Sequence, residues 1–125
     1  MHRSSIVAVL AMLVLGLLLA ACGGGGGSST KNQAVTASNG KVTIVAKDNY
    51  FNATTINATA GKLQITLDNQ GSSQHTFVID SPKFKIAASP GSSKSGTVDL
   101  TPGSYAYYCD IPGHRATMHG TLVVK

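Results

Sequence analysis

From Lys41 onward the chain alternates. In Lys41-Val-Thr-Ile-Val-Ala-Lys47 the apolar positions Val42, Ile44 and Ala46 share one face, and a period of two is that of a strand with one buried side. Lys62–Asp68 repeats the pattern more cleanly, with Leu63, Ile65 and Leu67 set against Gln64 and Thr66. His75–Ile79 is rich in β-formers, Ser95–Leu100 alternates, and Tyr105–Cys109 and Thr121–Lys125 complete the set. Ala60-Gly61, Asn69-Gln70-Gly71, Ser89-Pro90-Gly91 and Thr101-Pro102-Gly103 separate them, with the residues that turns require. Short strands at near-regular spacing with such punctuation predict an all-β fold, an antiparallel sandwich or barrel. Asn52–Ala58 has no clear period and reads as an irregular segment leading to a short strand. No stretch after residue 40 has a convincing helical period.

The N-terminus follows another pattern. Met1-His2-Arg3 gives a positive start, and Ile6–Leu19 is apolar throughout apart from Gly16. That is the length of a signal-peptide core and falls short of the roughly 20 residues a spanning helix needs. Leu19-Ala20-Ala21-Cys22 resembles a bacterial lipobox, in which cleavage precedes the Cys and the thiol becomes a lipid thioether. Residues 1–21 are therefore expected to be a lipoprotein signal peptide and Cys22 a lipidated N-terminus. Gly23–Gly27 and Ser28–Asn39 are rich in Gly, Ser, Thr and Asn. Residues 22–39 read as the lipidated Cys and a flexible tether, with a reach of roughly 20–25 Å as a Gly-rich coil. Residues 40–125 are left as one small domain.

Charge changes this picture little. The net charge is +5, with no Glu and five Asp. The lysines are scattered and no basic run is interleaved with aromatics, so nucleic acid is not an expected partner. The sequons Asn52-Ala-Thr54 and Asn57-Ala-Thr59 are treated as chance matches behind a bacterial lipobox.

The candidate chemistry lies in the C-terminal run Cys109-Asp-Ile-Pro-Gly-His114-Arg-Ala-Thr-Met118, with His75 upstream. The chain has two Cys, which allows a Cys22–Cys109 disulfide; lipidation of Cys22 removes that option and leaves Cys109 as a free thiol. Without the signal segment, Met118 is the sole Met, and His75, His114 and His119 are the sole His. Cys109 ends a strand, Pro112-Gly113 forces a tight turn, and His114 returns five residues on. His75 must come from another strand, because so short a loop cannot provide three equatorial ligands at trigonal angles. A trigonal His₂Cys set with a weak axial Met is the ligand set of a one-copper electron-transfer site. Alone, each of these residues would more simply be core filler or a strand-end side chain; their order and spacing favour the metal.

Cys109-x-x-Pro112-Gly113-His114-x-x-x-Met118 resembles the ligand loop of azurins. Tyr107-Tyr108-Cys109, Gly120-Thr-Leu-Val-Val and the upstream Asp48-Asn-Tyr-Phe51, Ala60-Gly61, Asn69 and His75-Thr-Phe are similar to the wider cupredoxins, the plastocyanin, auracyanin, halocyanin and sulfocyanin types. The resemblance covers Lys41–Lys125 and implies a Greek-key β-sandwich with one copper ion at one end. It implies that Cys109 sulfur accepts a hydrogen bond from the Thr76 amide and a second from Ile111, since Pro112 has no N–H. It also implies that His114 passes the electron at a surface formed by Ile111, Pro112, Gly113 and Ala116. The chain departs from azurins in lacking a second domain Cys and in placing Gln74 before His75, which puts a fifth, backbone-carbonyl ligand in doubt. His119 is a competing axial candidate, although it points the opposite way from Met118 along a strand.

The expected function is therefore that of a monomeric, membrane-tethered electron carrier between redox-protein donors and acceptors. It would be exported and lipid-anchored to the cell or outer membrane, facing the periplasm or exterior. The alternative is a copper-binding or chaperone protein, but such proteins favour exchangeable Met/His clusters without a buried thiolate. An enzyme is not expected, since multicopper chemistry needs more His than three, and no Ser-His-Asp pattern, phosphate loop or carboxylate pair is evident.

Overall fold

The computed structural model describes residues 33–125. The expected signal segment, Cys22 and the tether up to residue 32 lie outside the described residues. Within them, alternation in sequence becomes alternation in burial. Val42, Ile44 and Ala46 are buried while Lys41 and Thr43 are exposed, and Leu63, Ile65 and Leu67 are buried in the same way.

Ten strands form among the described residues: β1 (Ala34–Thr36), β2 (Lys41–Lys47), β3 (Tyr50–Phe51), β4 (Thr55–Ala58), β5 (Gly61–Asn69), β6 (His75–Ile79), β7 (Phe84–Ala88), β8 (Ser93–Leu100), β9 (Gly103–Tyr108) and β10 (His119–Val124). A six-stranded sheet has the order β1-β4-β10-β9-β6-β7 and a four-stranded sheet the order β3-β2-β5-β8. Their inner faces share one core, where Ile44, Ile56, Leu63, Leu67, Phe77, Tyr107 and Leu122 are at most 1 % exposed. No helix of the described residues is long and apolar enough to cross a membrane.

This is the expected all-β Greek-key sandwich, with two differences. The sheets are mixed rather than antiparallel: β2 pairs parallel with β5, and β4 parallel with both β1 and β10. After β3 the chain crosses to the other sheet as β4 and returns as β5, so β5 runs beside β2 in the same direction. The fold also begins earlier than residue 40. β1 lies within the stretch expected to be tether, and Asn39-Gly40 turns the chain into β2. Both turn residues have positive φ, 52° and 68°, as a two-residue type I′ turn demands. Ser38 and Lys41 exchange backbone hydrogen bonds across it at 2.9 and 3.0 Å.

Both sequon asparagines are tied to the sheets, Asn52 from just after β3 and Asn57 from within β4. Asn52 Oδ1 accepts the Val45 N–H at 2.8 Å, and Asn57 sits in β4 between β1 and β10.

Candidate metal centre

Two neighbouring strands of the six-stranded sheet bring the first two candidate side chains together. His75 opens β6, and Cys109 follows the last residue of β9. An aromatic cluster fixes the ends of these strands. The rings of Phe77 and Tyr107 stack at 4.7 Å, and Phe51 packs against both. The Tyr107 hydroxyl donates to the Ala53 carbonyl at 2.7 Å, which satisfies a fully buried phenol. Burial pushes its pKa above the ordinary tyrosine range, so it stays a neutral donor. Gly120 makes room for that ring: a Cβ there would collide with Tyr107 and with the Thr54 carbonyl.

The loop from Cys109 to Met118 is closed by backbone bonds. His114 N–H donates to Ile111 C=O at 3.0 Å, and Gly113 has a φ of 84°. Pro at the second position and a positive-φ Gly at the third make this a type II turn. Met118 N–H then donates to His114 C=O, and Cys109 N–H to Met118 C=O, both at 2.9 Å. The spacing Cys-x-x-Pro-Gly-His-x-x-x-Met is thus one turn followed by one helix-like turn, tied back to its own start.

The ligand atoms of His75, Cys109 and His114 all lie within 4.8 Å of one another. Cys109 Sγ is 3.7 Å from His114 Nδ1, and the two imidazole rings are 5.1 Å apart. His75, Cys109 and Met118 are fully buried, and His114 is half-buried. Among the described residues Cys109 is a free thiol. Burial, and then the neighbouring His114 charge, hold the His75 pKa below the ordinary histidine value, so the ring is in the neutral form that binds metals. Both of its ring nitrogens are buried without a hydrogen-bond partner among the described residues. Orphaned polar atoms of this kind cost about 1–3 kcal/mol each. Beside a thiol and a second imidazole they fit a soft, imidazole- and thiolate-binding metal such as copper.

Thr76 stands where expected. Its amide donates to Cys109 Sγ at 3.4 Å. Its hydroxyl lies 3.5 Å from the sulfur but 2.7 Å from Asp110 Oδ1, so its single proton goes to the carboxylate. The same oxygen accepts the Asp110 N–H at 2.9 Å, which ties β6 to the loop. Lys85 bonds the other Asp110 oxygen at 2.6 Å, and these bonds, that from Lys85 foremost, hold the Asp110 carboxyl below the usual range. Ile111 differs from its expected role. Among the described residues the sulfur's partners are Thr76 and His114, and Ile111 instead closes the turn through its carbonyl. His119 is exposed at the start of β10 and is not in the cluster. Pro112, Gly113 and Ala116 are exposed and Ile111 half-buried, on the loop that carries His114.

Two residues that hold the His75 loop were quoted in the family resemblance but given no role there. Asn69 is fully buried; its Nδ2 donates to Ser73 C=O at 2.8 Å and Ala88 C=O at 2.9 Å, and its Oδ1 accepts the Gly71 N–H. Its signal was present, since it takes the next inward position after Leu63, Ile65 and Leu67, and a polar residue there implies a buried network. Asp48 accepts the Ser72 N–H at 2.7 Å and the Ser72 hydroxyl at 2.8 Å. It comes from a hairpin 24 residues upstream of Ser72, and nothing beside it in sequence names that partner.

A two-sheet β-sandwich with a buried thiol, two imidazoles and a thioether gathered toward one end is the architecture of a small copper-binding domain. The chain belongs to the cupredoxin-like domain family, whose model matches residues 9–124. Among solved structures it is similar to auracyanin A, a "blue" copper protein from the green thermophilic photosynthetic bacterium Chloroflexus aurantiacus, at 20 % identity and a TM-score of 0.61, covering 74 % of this chain and 100 % of that one. Reduced rusticyanin is 28 % identical with a TM-score of 0.60, covering 74 % of this chain and 84 % of its own. An azurin, Az-iso2 from the obligate methylotroph Methylomonas sp. strain J, is 16 % identical with a TM-score of 0.60, covering 70 % and 99 %. No curated protein matches the chain.

Proposed function

We propose that the protein is a membrane-tethered blue copper protein that carries single electrons between redox partners. His75, Cys109, His114 and Met118 would hold one copper ion, with the thioether of Met118 as the weakest donor. The observation that carries this reading is His75: a fully buried imidazole with both nitrogens unpartnered among the described residues, set against Cys109 and His114. When bound, copper supplies a one-electron couple between Cu(I) and Cu(II).

The chain's own residues do the rest. Burial of His75, Cys109 and Met118 keeps water from the ligand atoms. The closed loop and the Thr76–Asp110 tie hold the donors in one arrangement, which suits a resident metal better than one handed on to a partner. The Thr76 amide donates to the sulfur and favours the more electron-rich thiolate of the reduced state. His114, half-buried among Ile111, Pro112, Gly113 and Ala116, offers the shortest route to a docked protein. Cupredoxins are typically exported, and the Leu19-Ala-Ala-Cys22 sequence supports lipid anchoring at Cys22.

A visible spectrum after Cu(II) addition tests the reading. An intense thiolate-to-copper charge-transfer band in the red region is expected, and Cys109→Ser, which replaces the thiolate by an alcohol, abolishes it. A pale, ordinary tetragonal Cu(II) spectrum from the wild type would refute the site.

A further inference from the structure

The two nitrogens of His75 face different surroundings. Nε2 is turned toward Asp48 and Gly71: Asp48 Oδ1 lies 3.8 Å from it, and a Cβ placed on Gly71 would sit 2.9 Å from it. That leaves Nδ1, on the other side of the ring, for Cys109, His114 and a metal. A neutral imidazole that binds metal through one nitrogen carries its proton on the other. A metal at Nδ1 therefore makes Nε2 an N–H donor, buried, with no partner yet in bonding range among the described residues.

We infer that Asp48 is the outer-sphere partner of His75, the carboxylate that accepts its Nε2–H and so fixes the ring's tautomer and orientation toward the metal. This rests on the metal reading of the cluster and deepens it. Three features are built for the contact. Ser72 holds the carboxylate by both its N–H and its hydroxyl, so Asp48 is already aimed. Gly71 leaves the gap between the two groups open, for a Cβ there would stand 2.5 Å from Asp48 Oδ1 as well as 2.9 Å from Nε2. Asn69 pins the same short loop from its other side through Ser73 and Gly71. The present 3.8 Å is too long for a hydrogen bond, and closure by about an ångström brings it into range. Carboxylate acceptors behind metal-binding imidazoles raise ligand basicity, and their loss commonly lowers metal affinity about 10–100-fold. A negative partner favours the more highly charged metal, so its loss weakens Cu(II) binding more than Cu(I) binding and raises the reduction potential. Asp48 is a positioning residue in this scheme, acting through His75.

The test uses the full chain loaded with copper, and three variants: Asp48→Ala, Asp48→Asn and Gly71→Ala. In the reduced, diamagnetic protein, NMR reads the His75 Nε2–H and its exchange with solvent. Wild type should show a protected proton. Asp48→Ala should lose that protection, bind Cu(II) about 10–100-fold more weakly by competition titration and shift the potential upward. Asp48→Asn, which keeps a side-chain oxygen acceptor, should retain the proton and shift the potential less. Gly71→Ala, which touches neither group chemically but wedges its methyl between them, should reproduce the Asp48→Ala result and serves if that variant folds poorly. Wild-type exchange and potential in both alanine variants would overturn the inference. So would a lower unfolding midpoint with unchanged exchange and potential, because Asp48 would then only clamp Ser72. If wild type gives no charge-transfer band with copper, the metal reading itself has failed, which is seen before any variant is made, and the inference falls with it.

Discussion

Thr76 ties β6 both to the sulfur and to the loop that follows it. Its amide serves the sulfur and its hydroxyl serves Asp110 twice, as donor and as acceptor. Thr76→Val keeps the shape and the amide but leaves the Asp110 N–H and one carboxylate oxygen short of a partner. A loss of about 1–3 kcal/mol is expected, read as a lower denaturant midpoint, with the charge-transfer band retained because the Cys109 ligand is untouched. Met118 should act differently, tuning the site rather than creating it. It is buried in the loop that carries His114, and a thioether is a weak axial donor. Met118→Leu should keep copper and colour and raise the reduction potential, because a donor that favours Cu(II) is gone; Met118→Gln should lower it. Voltammetry of the two variants checks the order, and loss of metal from Met118→Leu together with a spectral change in His119→Ala would move the axial role to His119. At this scale the sequence was legible where chemistry is rare: thiols and imidazoles are few in the chain, and the structure brings His75, Cys109 and His114 together. It was less legible where the partner is remote. Nothing near Asp48 in sequence points to Ser72 or His75, and the Ile111 amide was assigned to a sulfur it does not reach.

Among the strands, regular alternation was readable and its interruptions were not. Lys41–Lys47 and His75–Ile79 are strands with the bounds expected; the first faces the core at alternate positions, while the second is buried at all five and was readable from its β-forming residues. β7 was not anticipated: Phe84, Ile86 and Ala88 do face inward, but a strand of five residues, two of them Ala, carries a weak signal. β3 has two residues, too few for any period. β1 and the Asn39-Gly40 turn were hidden by the Gly- and Ser-rich run before them, although an Asn-Gly pair is a strong turn signal in its own right. The element that matters most for the site is β9, whose end presents Cys109. Tyr107 anchors it by stacking on Phe77 and by donating to Ala53, which precedes β4, two strands away across the sheet. Tyr107→Phe keeps the stack and strands the Ala53 carbonyl, at an expected cost of about 1–3 kcal/mol. Thermal or denaturant unfolding of the metal-free protein measures it. An unchanged midpoint would mean that water replaces the phenol and that stacking alone holds β9.

For the whole molecule, the earlier start of the fold alters the proposed tether. With β1 beginning at Ala34, the segment between Cys22 and the domain shortens to residues 23–33. As a Gly-rich coil such a segment reaches roughly 15–20 Å, less than the full 22–39 stretch would give but enough to turn a small domain above a membrane surface. The lipobox reading gives Cys22 a thioether-linked diacyl group, and two chains are what stable anchoring needs where one is marginal. Anchoring replaces diffusion through a volume by a high local concentration near membrane-bound partners, and the His114 face must then be able to meet a donor and later an acceptor. The proposed ligands lie in residues 75–118, more than fifty residues along the chain from Cys22. Cys22→Ala should accordingly release a soluble protein whose copper spectrum is unchanged, or leave the precursor uncleaved, while electron transfer per molecule between membrane partners slows. Fractionation and mass spectrometry of the membrane fraction decide the matter. An unmodified Cys22, or wild-type protein found wholly in the soluble fraction, would replace the tethered carrier by one that diffuses freely and would remove the need for the glycine run to act as a leash.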